Sequence, residues 1–292
     1  MSLRGRELGA FLSLTLIWGT TWAAIRFGLE GIPPLAGVAI RFAVAGVLLI
    51  VLARLRGEKL GRTRVERWLW LYNGLATFIL PYSIIYWAEQ VVPSGLAAVL
   101  FATFPLWLVL LSRWILPEER SSWMRLAGVA SGFVGVAVIF SEDFARLGGE
   151  EVRLRGATLL VASAISASGS LAVKRWGKGT TPLSFAAVPM LLAASVCSIL
   201  SLAFERGQPI QFQAPAVLAT LYLAIFGSAL SFTIYFWFLG RSSAVLASLI
   251  SYTAPVVAVL LGVLVLQEPV TARMAAGALL VLGGVAGAIR SR

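Results

Sequence analysis

The sequence predicts an all-α integral membrane fold: ten transmembrane helices arranged as two inverted five-helix repeats. Three observations predict it. Of the 292 residues, 59% are hydrophobic and 13% charged, and mean hydropathy is +0.89. Soluble domains carry about 25% charged residues, so polar side chains here are too few to cover a water-facing surface. Apolar runs of about 20 residues recur from end to end, each able to cross a hydrocarbon core about 30 Å thick. Finally, the second half of the chain repeats the first at a spacing of 150 positions.

The runs place helices at Glu7–Phe27, Pro34–Leu55, Trp68–Gln90, Gly95–Leu116 and Trp123–Ser141. In the second half they place them at Gly156–Trp176, Pro182–Glu205, Pro215–Gly240, Ala244–Leu266 and Ala272–Ile289. Pro33-Pro34, Pro93, Pro117, Pro182, Pro209, Pro215 and Pro269 fall at or near the ends, where a missing N–H costs least. The first run follows Arg4 and Arg6 as a signal peptide would. It is longer than an h-region of about 7–15 residues, holds Trp18 and Trp22, and lacks a clear small-x-small cleavage site. It reads as a retained helix.

Orientation follows from Lys and Arg in the connections. One side collects Arg4, Arg6, Arg54, Arg56, Lys59, Arg62, Arg64, Arg67, Arg113, Arg120, Arg125, Lys174, Arg175, Lys178, Arg241, Arg290 and Arg292. The other collects Arg146, Arg153, Arg155, Arg206 and Arg273, leaving Arg26 and Arg41 within helices. The asymmetry puts both termini in the cytoplasm. The net charge of +11 is therefore read as helix orientation and contact with anionic headgroups, with no nucleic-acid partner.

Composition also excludes chemistry. The single cysteine, Cys197, can form neither an internal disulfide nor a Cys-rich metal site. There is no histidine, which removes the commonest general base and zinc ligand. The connections are too short for a soluble catalytic or nucleotide-binding domain. Gly177-Lys178 is no P-loop, because Ala172 stands at the first glycine position and Gly179 where Ser or Thr is required. No cofactor, metal or ATP-driven pump is expected.

The repeat is ungapped over its central part. Leu71-Tyr72 recurs as Leu221-Tyr222, Trp87 as Trp237, Ala97 as Ala247, Thr103 as Thr253, Pro105 as Pro255 and Glu118 as Glu268. With small shifts, Arg26-Phe27-Gly28 matches Arg175-Trp176-Gly177, and Gly128 and Gly135 match Gly277 and Gly284. Apolar composition explains Leu on Leu; it does not explain aligned Pro, Trp, Thr and Glu. The division is residues 1–146 and 147–292. Five spans per repeat invert the second half relative to the first, the usual arrangement for alternating access around a midplane site.

Trp18-Gly19, Arg41-Phe42 followed by Ala45, Pro105 with Glu118, and Pro255 with Glu268 resemble the EamA family of the drug/metabolite transporter superfamily, over essentially the whole chain. The resemblance implies an inner-membrane carrier with a central cavity lined by helices 1–4 and 6–9, helices 5 and 10 being peripheral. Overall likeness and aromatic content resemble, within it, the branch that exports aromatic amino acids and methyl viologen. The second half departs from the pattern: Pro189-Met190 occupy the place of Arg41-Phe42.

The substrate-cavity candidates are Trp18, Arg41, Tyr82, Tyr86, Ser166, Phe232, Tyr235 and Tyr252. Arg41 lies about eight residues into its helix, where an unpaired charge costs about 2.5–3.5 kcal/mol. It either anchors a substrate carboxylate or satisfies carbonyls structurally. Helix 3 carries Tyr72, Ala76, Ile79, Tyr82, Ser83, Tyr86 and Gln90 as one stripe at helical spacing. Helix 8 repeats the theme with Tyr222, Phe226, Phe232, Thr233, Tyr235 and Phe236. Such faces suit either stacking on a flat solute or helix packing. Ser163, Ser166 and Ser170 of helix 6, and Ser248 and Ser251 of helix 9, serve close packing or a wet cavity. Pro105 and Pro255 are candidate kinks or hinges. Glycines of helices 5 and 10 suit close helix contact. No Asp or Glu lies mid-helix; Glu89, near the outer interface, comes nearest.

The expectation is a secondary transporter that exports small metabolites, amino acids (aromatic or other neutral) foremost, across the bacterial inner membrane. Its partners are the small-molecule substrate and the lipid bilayer, and a monomer suffices, the oligomeric state being open. The alternatives are a broad-specificity drug or dication exporter, which would want buried acids, and a membrane-embedded lipid-modifying enzyme. The latter needs a His, Asp, Glu or Lys constellation that the sequence does not supply.

Overall fold

The computed structural model describes residues 5–119, 122–139, 141, 149–266 and 271–290. Glu268 and Pro269, and the charges Arg4, Arg120, Arg146 and Arg292, lie outside the described residues. Among the described residues the regular elements are all helices. In order the helices are α1 (Gly5–Leu29), α2 (Pro34–Leu55), α3 (Arg64–Ala88), α4 (Ser94–Ile115) and α5 (Trp123–Ile139). They continue as α6 (Gly149–Trp176), α7 (Pro182–Phe204), α8 (Ala214–Arg241), α9 (Ala244–Leu266) and α10 (Ala272–Arg290). Among the described residues, eight helices are long and apolar enough to cross a membrane; α5 and the Ala244–Val257 part of α9 are shorter apolar helices. Leu12, Leu16, Leu71, Ile199, Leu218 and Leu279 are exposed. A water-soluble surface would not carry so many large apolar side chains, whereas lipid accepts them.

Local chemistry sets the ends. Pro34, Pro182 and Pro215 occupy the first turns of α2, α7 and α8, where no N–H bond is forfeited. Thr63 accepts from the Glu66 N–H at 3.0 Å, and the Glu66 carboxylate accepts from the Arg62 N–H at 2.8 Å, a reciprocal cap that starts α3 before the expected Trp68. At its far end α3 stops at Ala88, with Glu89 as C-cap. The sixth helix begins at Gly149, ahead of the expected Gly156, with Glu150 and Glu151 in its first turn, where negative charge is favoured.

Two irregularities recur in the two halves. α3 contains a π-helical turn at Gly74–Ile79, and α8 contains one at Ile225–Leu230. α4 breaks between Phe101 and Phe104, and α9 breaks at Leu249. Pro105 sits in the first turn of the second α4 piece, so its missing N–H costs no helical bond there. Pro255 lies inside the second α9 piece.

α2 packs along α7, and α5 along α10. The α5–α10 seam needs glycine: a Cβ on Gly128 would stand 2.5 Å from the Gly284 carbonyl oxygen, and one on Gly135 2.6 Å from that of Gly277. Side-chain contacts fix relative direction. Arg26, near the end of α1, and Arg155, near the start of α6, both bond the end of α3. Glu205, which caps the end of α7, accepts from the N–H groups of Leu35 and Ala36 at the start of α2. Matching helices of the two halves therefore run in opposite directions.

Candidate functional site

Between the halves lies a cavity of about 100 Å³, walled by α1–α4, α6, α8 and α9. Among the described residues none of α5, α7 or α10 lines it, so α7 stands outside the wall that the resemblance implied for helices 6–9. Of the eight candidates, Trp18, Arg41, Tyr82, Ser166, Phe232 and Tyr235 line it.

Among the described residues Arg41 is the one charged residue of the lining, and it is 1% exposed. Its Nε donates to Ser228 Oγ at 2.7 Å and one terminal nitrogen to the Gly227 carbonyl at 3.0 Å. Both acceptors belong to the π-helical turn of α8. A π-turn widens the backbone and leaves carbonyls with capacity for an outside donor. The other terminal nitrogen donates to the Tyr86 hydroxyl at 3.4 Å. The guanidinium lies over the Tyr82 ring, 4.7 Å from its centroid, and near Phe42 at 5.5 Å, a favourable cation–π arrangement. Among the described residues no carboxylate stands within ion-pair distance of it.

Aromatic rings from four helices converge around this charge. Phe78 and Tyr82 of α3 meet Phe232 of α8, with centroids 4.8 and 6.2 Å apart. Trp18 of α1 tilts against Phe232 at 5.6 Å and Tyr235 at 5.4 Å, and Trp22 against Phe101 of α4 at 5.8 Å. The Trp18 indole N–H is buried without a hydrogen-bond partner, a donor left over in the cavity wall. Ser166, Ser170, Ser248 and Ser251 supply hydroxyls, and Ser170 accepts from the Tyr235 hydroxyl at 3.0 Å.

Two candidates stand elsewhere. Tyr86 is behind Arg41, its ring against Gly37. Tyr252 turns away from the cavity and seats its ring on Gly132 of α5, where a Cβ would come within 2.5 Å of it. The small residue on α5 makes the space that α9 fills with a tyrosine. The single stripe expected on α3 is also split. Tyr72 donates to Ser168 of α6 at 3.0 Å, Tyr82 faces Arg41, and Ser83 reaches Cys197 of α7 at 3.6 Å. The π-turn lies between Tyr72 and Tyr82 and shifts the helical phase, so spacing counted across it misassigns faces. Trp22, Thr77, Phe101 and Phe104 line the cavity without having been singled out; Trp22, one turn beyond Trp18, carried the only available signal. Ser228 and Gly227 gave none.

The two ends of the bundle are tied by related devices. At one, Lys174 of α6 donates to the carbonyls of Leu239 and Ser242 at 2.9 and 2.7 Å and pairs with Glu119 at 3.4 Å. Glu119 also accepts from the Ala244 N–H at the start of α9 at 2.9 Å, and Arg175 pairs with Glu118 beside it. At the other end, Arg26 of α1 donates to the carbonyls of Glu89 and Gln90 where α3 finishes.

The model of the EamA-like transporter family matches residues 6–141 and again 154–290. The chain belongs to that family and is a multi-pass membrane protein of transporter type. Among similar proteins, "Protein PagO" of Salmonella typhimurium is 32% identical, over 85% of this chain and 81% of its own length. The "Uncharacterized inner membrane transporter YedA" of Escherichia coli is 36% identical over 89% and 84%. The "Uncharacterized transporter YoaV" of Bacillus subtilis is 26% identical over 94% and 93%. A protein of known crystal structure shares the fold, with a TM-score of 0.83, 98% of this chain and 97% of that one covered, at 23% identity.

Proposed function

We propose that this member of the EamA-like family is a secondary transporter that exports small carboxylate-bearing metabolites, amino acids with aromatic or other neutral side chains foremost. In this reading all ten helices span the bacterial inner membrane, both termini are cytoplasmic, and residues 1–146 and 147–292 rock against one another as inverted halves. Lys174 and Glu119 then lie at the cytoplasmic end, Arg26 and Glu89 at the outer end.

The observation that carries the reading is Arg41. A guanidinium that lines a cavity, is removed from water and has no carboxylate partner is a costly arrangement. A substrate carboxylate repays it, with bidentate geometry that suits arginine. The aromatic rings around Arg41 offer faces to a flat or apolar side chain. A dication finds no carboxylate among the described lining residues and meets the charge of Arg41 there.

The test is flux in vesicles reconstituted with the purified protein. L-Phenylalanine and other neutral amino acids are expected to equilibrate faster than through protein-free lipid, with loss on Arg41→Gln. A folded sample that moves methyl viologen and no amino acid overturns the proposal in favour of a cation exporter.

A further inference from the structure

Among the described residues Glu66 and Glu89 are the buried acids, and half-buried Glu58 shares with Glu89 a carboxylate oxygen without a partner; Glu89 alone combines that with complete burial. Glu205 receives two backbone N–H groups, at 2.7 and 3.0 Å. Glu119 receives a backbone N–H and the Lys174 ammonium. Glu66 receives the Arg62 N–H and the Ser184 hydroxyl. Glu89 is 0% exposed, yet its Oε2 receives only the Ser94 hydroxyl, at 2.9 Å, and its Oε1 has no partner. An ionised carboxylate so placed lacks the hydrogen bonds that its burial demands, whereas a protonated one carries no charge to desolvate.

The charged and titratable groups around it come from each neighbouring helix. They are Arg26 on α1, Arg41 on α2, Tyr86 on α3 itself, and Arg155 on α6, which bonds Gln90 and pairs with Glu151. Arg26 is already engaged, its guanidinium on the carbonyls of Glu89 and Gln90. α1, α3 and α4 thus meet at one carboxyl, with the cation that ties α1 to α3 spent on main-chain oxygen.

We propose that Glu89 is a proton-binding site that controls this end of the cavity. With a proton on Oε1, Arg26 holds the last carbonyls of α3 and the α1–α3–α4 corner stays shut. Loss of the proton leaves a carboxylate that attracts the guanidinium more strongly than a carbonyl does. Arg26 then turns from the two carbonyls toward it, water follows to solvate the buried charge, and the α1–α3–α4 corner loosens. Burial pushes the carboxyl up to about 8, against the pull of Ser94, Arg26 and Arg41, so the change falls within the physiological range.

Two measurements on the full chain test this, and neither uses a transported solute, so the result stands whatever the cargo is. In infrared difference spectra the protonated-carboxyl band is expected to titrate between about pH 7 and 9 and to be missing from Glu89→Gln. A cysteine placed at Ile25, which lines the cavity beside Arg26, reports opening through its labelling rate in a Cys197→Ser background. With Glu89 present the rate should rise severalfold from pH 6.5 to 9 beyond the rise in Glu89→Gln, whose profile carries only the thiol's own titration. A spectrum in which Glu89 is already ionised at pH 6, or identical labelling profiles with and without the carboxyl, overturns the proposal. If Glu89→Gln does not fold, Glu89→Asp against wild type gives the same decision, a shifted band and profile supporting the site and unshifted ones refuting it.

Discussion

At the α2–α8 contact the π-helical turn of α8 receives an arginine; at the matching α7–α3 contact the π-helical turn of α3 receives a proline. Arg41 fills the first slot, bonded to Ser228 and the Gly227 carbonyl. In the second, Pro189 lies against Gly74, and polarity is confined to Asn73, which donates to the Phe185 carbonyl at 2.8 Å and accepts from Thr77 at 2.7 Å. Two similar backbone devices thus frame one cavity, one charged and one neutral. A solute bound between them meets a cation on one side only, so the cavity is polar in sense although the scaffold is nearly symmetric.

The comparison is broken most severely by removing the charge. Arg41→Gln should lower L-phenylalanine flux in vesicles by at least about 30-fold, the equivalent of about 2 kcal/mol for a buried pair that loses one member. Ser228→Ala keeps the charge and removes the bond to Nε. Bonds to charged groups contribute about 1.5–3 kcal/mol, so the apparent KM should rise about tenfold with the fold intact. On the neutral side, Asn73→Ala strips the Phe185 carbonyl of its partner and should cost about 1 kcal/mol of stability. It should leave KM for the same solute unchanged; a KM shift as large as that of Ser228→Ala would erase the distinction between the junctions.

Finer probes sharpen it. A Cβ on Gly74 meets nothing closer than 3.7 Å, while one on Gly227 meets Thr21 at 3.0 Å and the Arg41 guanidinium at 3.3 Å. Gly74→Ala should therefore be neutral or slightly stabilising, and Gly227→Ala should reduce flux a fewfold, both read beside thermal unfolding. An independent effect is on stability against pH. Glu89 holds its proton in the native state up to about pH 8, whereas the unfolded carboxyl ionises near 4.5. The native state binds more protons between these values, so stability should fall as pH rises through that window and level off above it. Glu89→Gln should flatten this part of the profile in a detergent melting series.

The membrane class, the order of helices and the antiparallel relation of matching helices were legible in sequence because each is written in local quantities. Hydropathy sums along a segment, and a gap-free recurrence such as Pro105 with Pro255 is independent of conformation. Arg41 announced itself for the same reason, a lone charge in an apolar run. The residues that hold it did not. Ser228 and Gly227 look like ordinary helix residues until a π-turn directs them at α2, and the same kind of turn in α3 separates Tyr72 from Tyr82.

Composition and pattern alone were enough for the solvent of this protein, the order of its helices and the duplication of its plan, while caps such as Thr63 with Glu66 moved helix ends by several residues. Those follow from transfer free energies summed residue by residue. Only the tertiary structure decided that Tyr252 seats on Gly132 rather than in the cavity, that Trp22 and Phe101 complete its wall, and that Glu89 is buried with one oxygen unmatched. Each depends on the rotation of one helix against another, which side-chain volumes and π-turns set across long sequence separations.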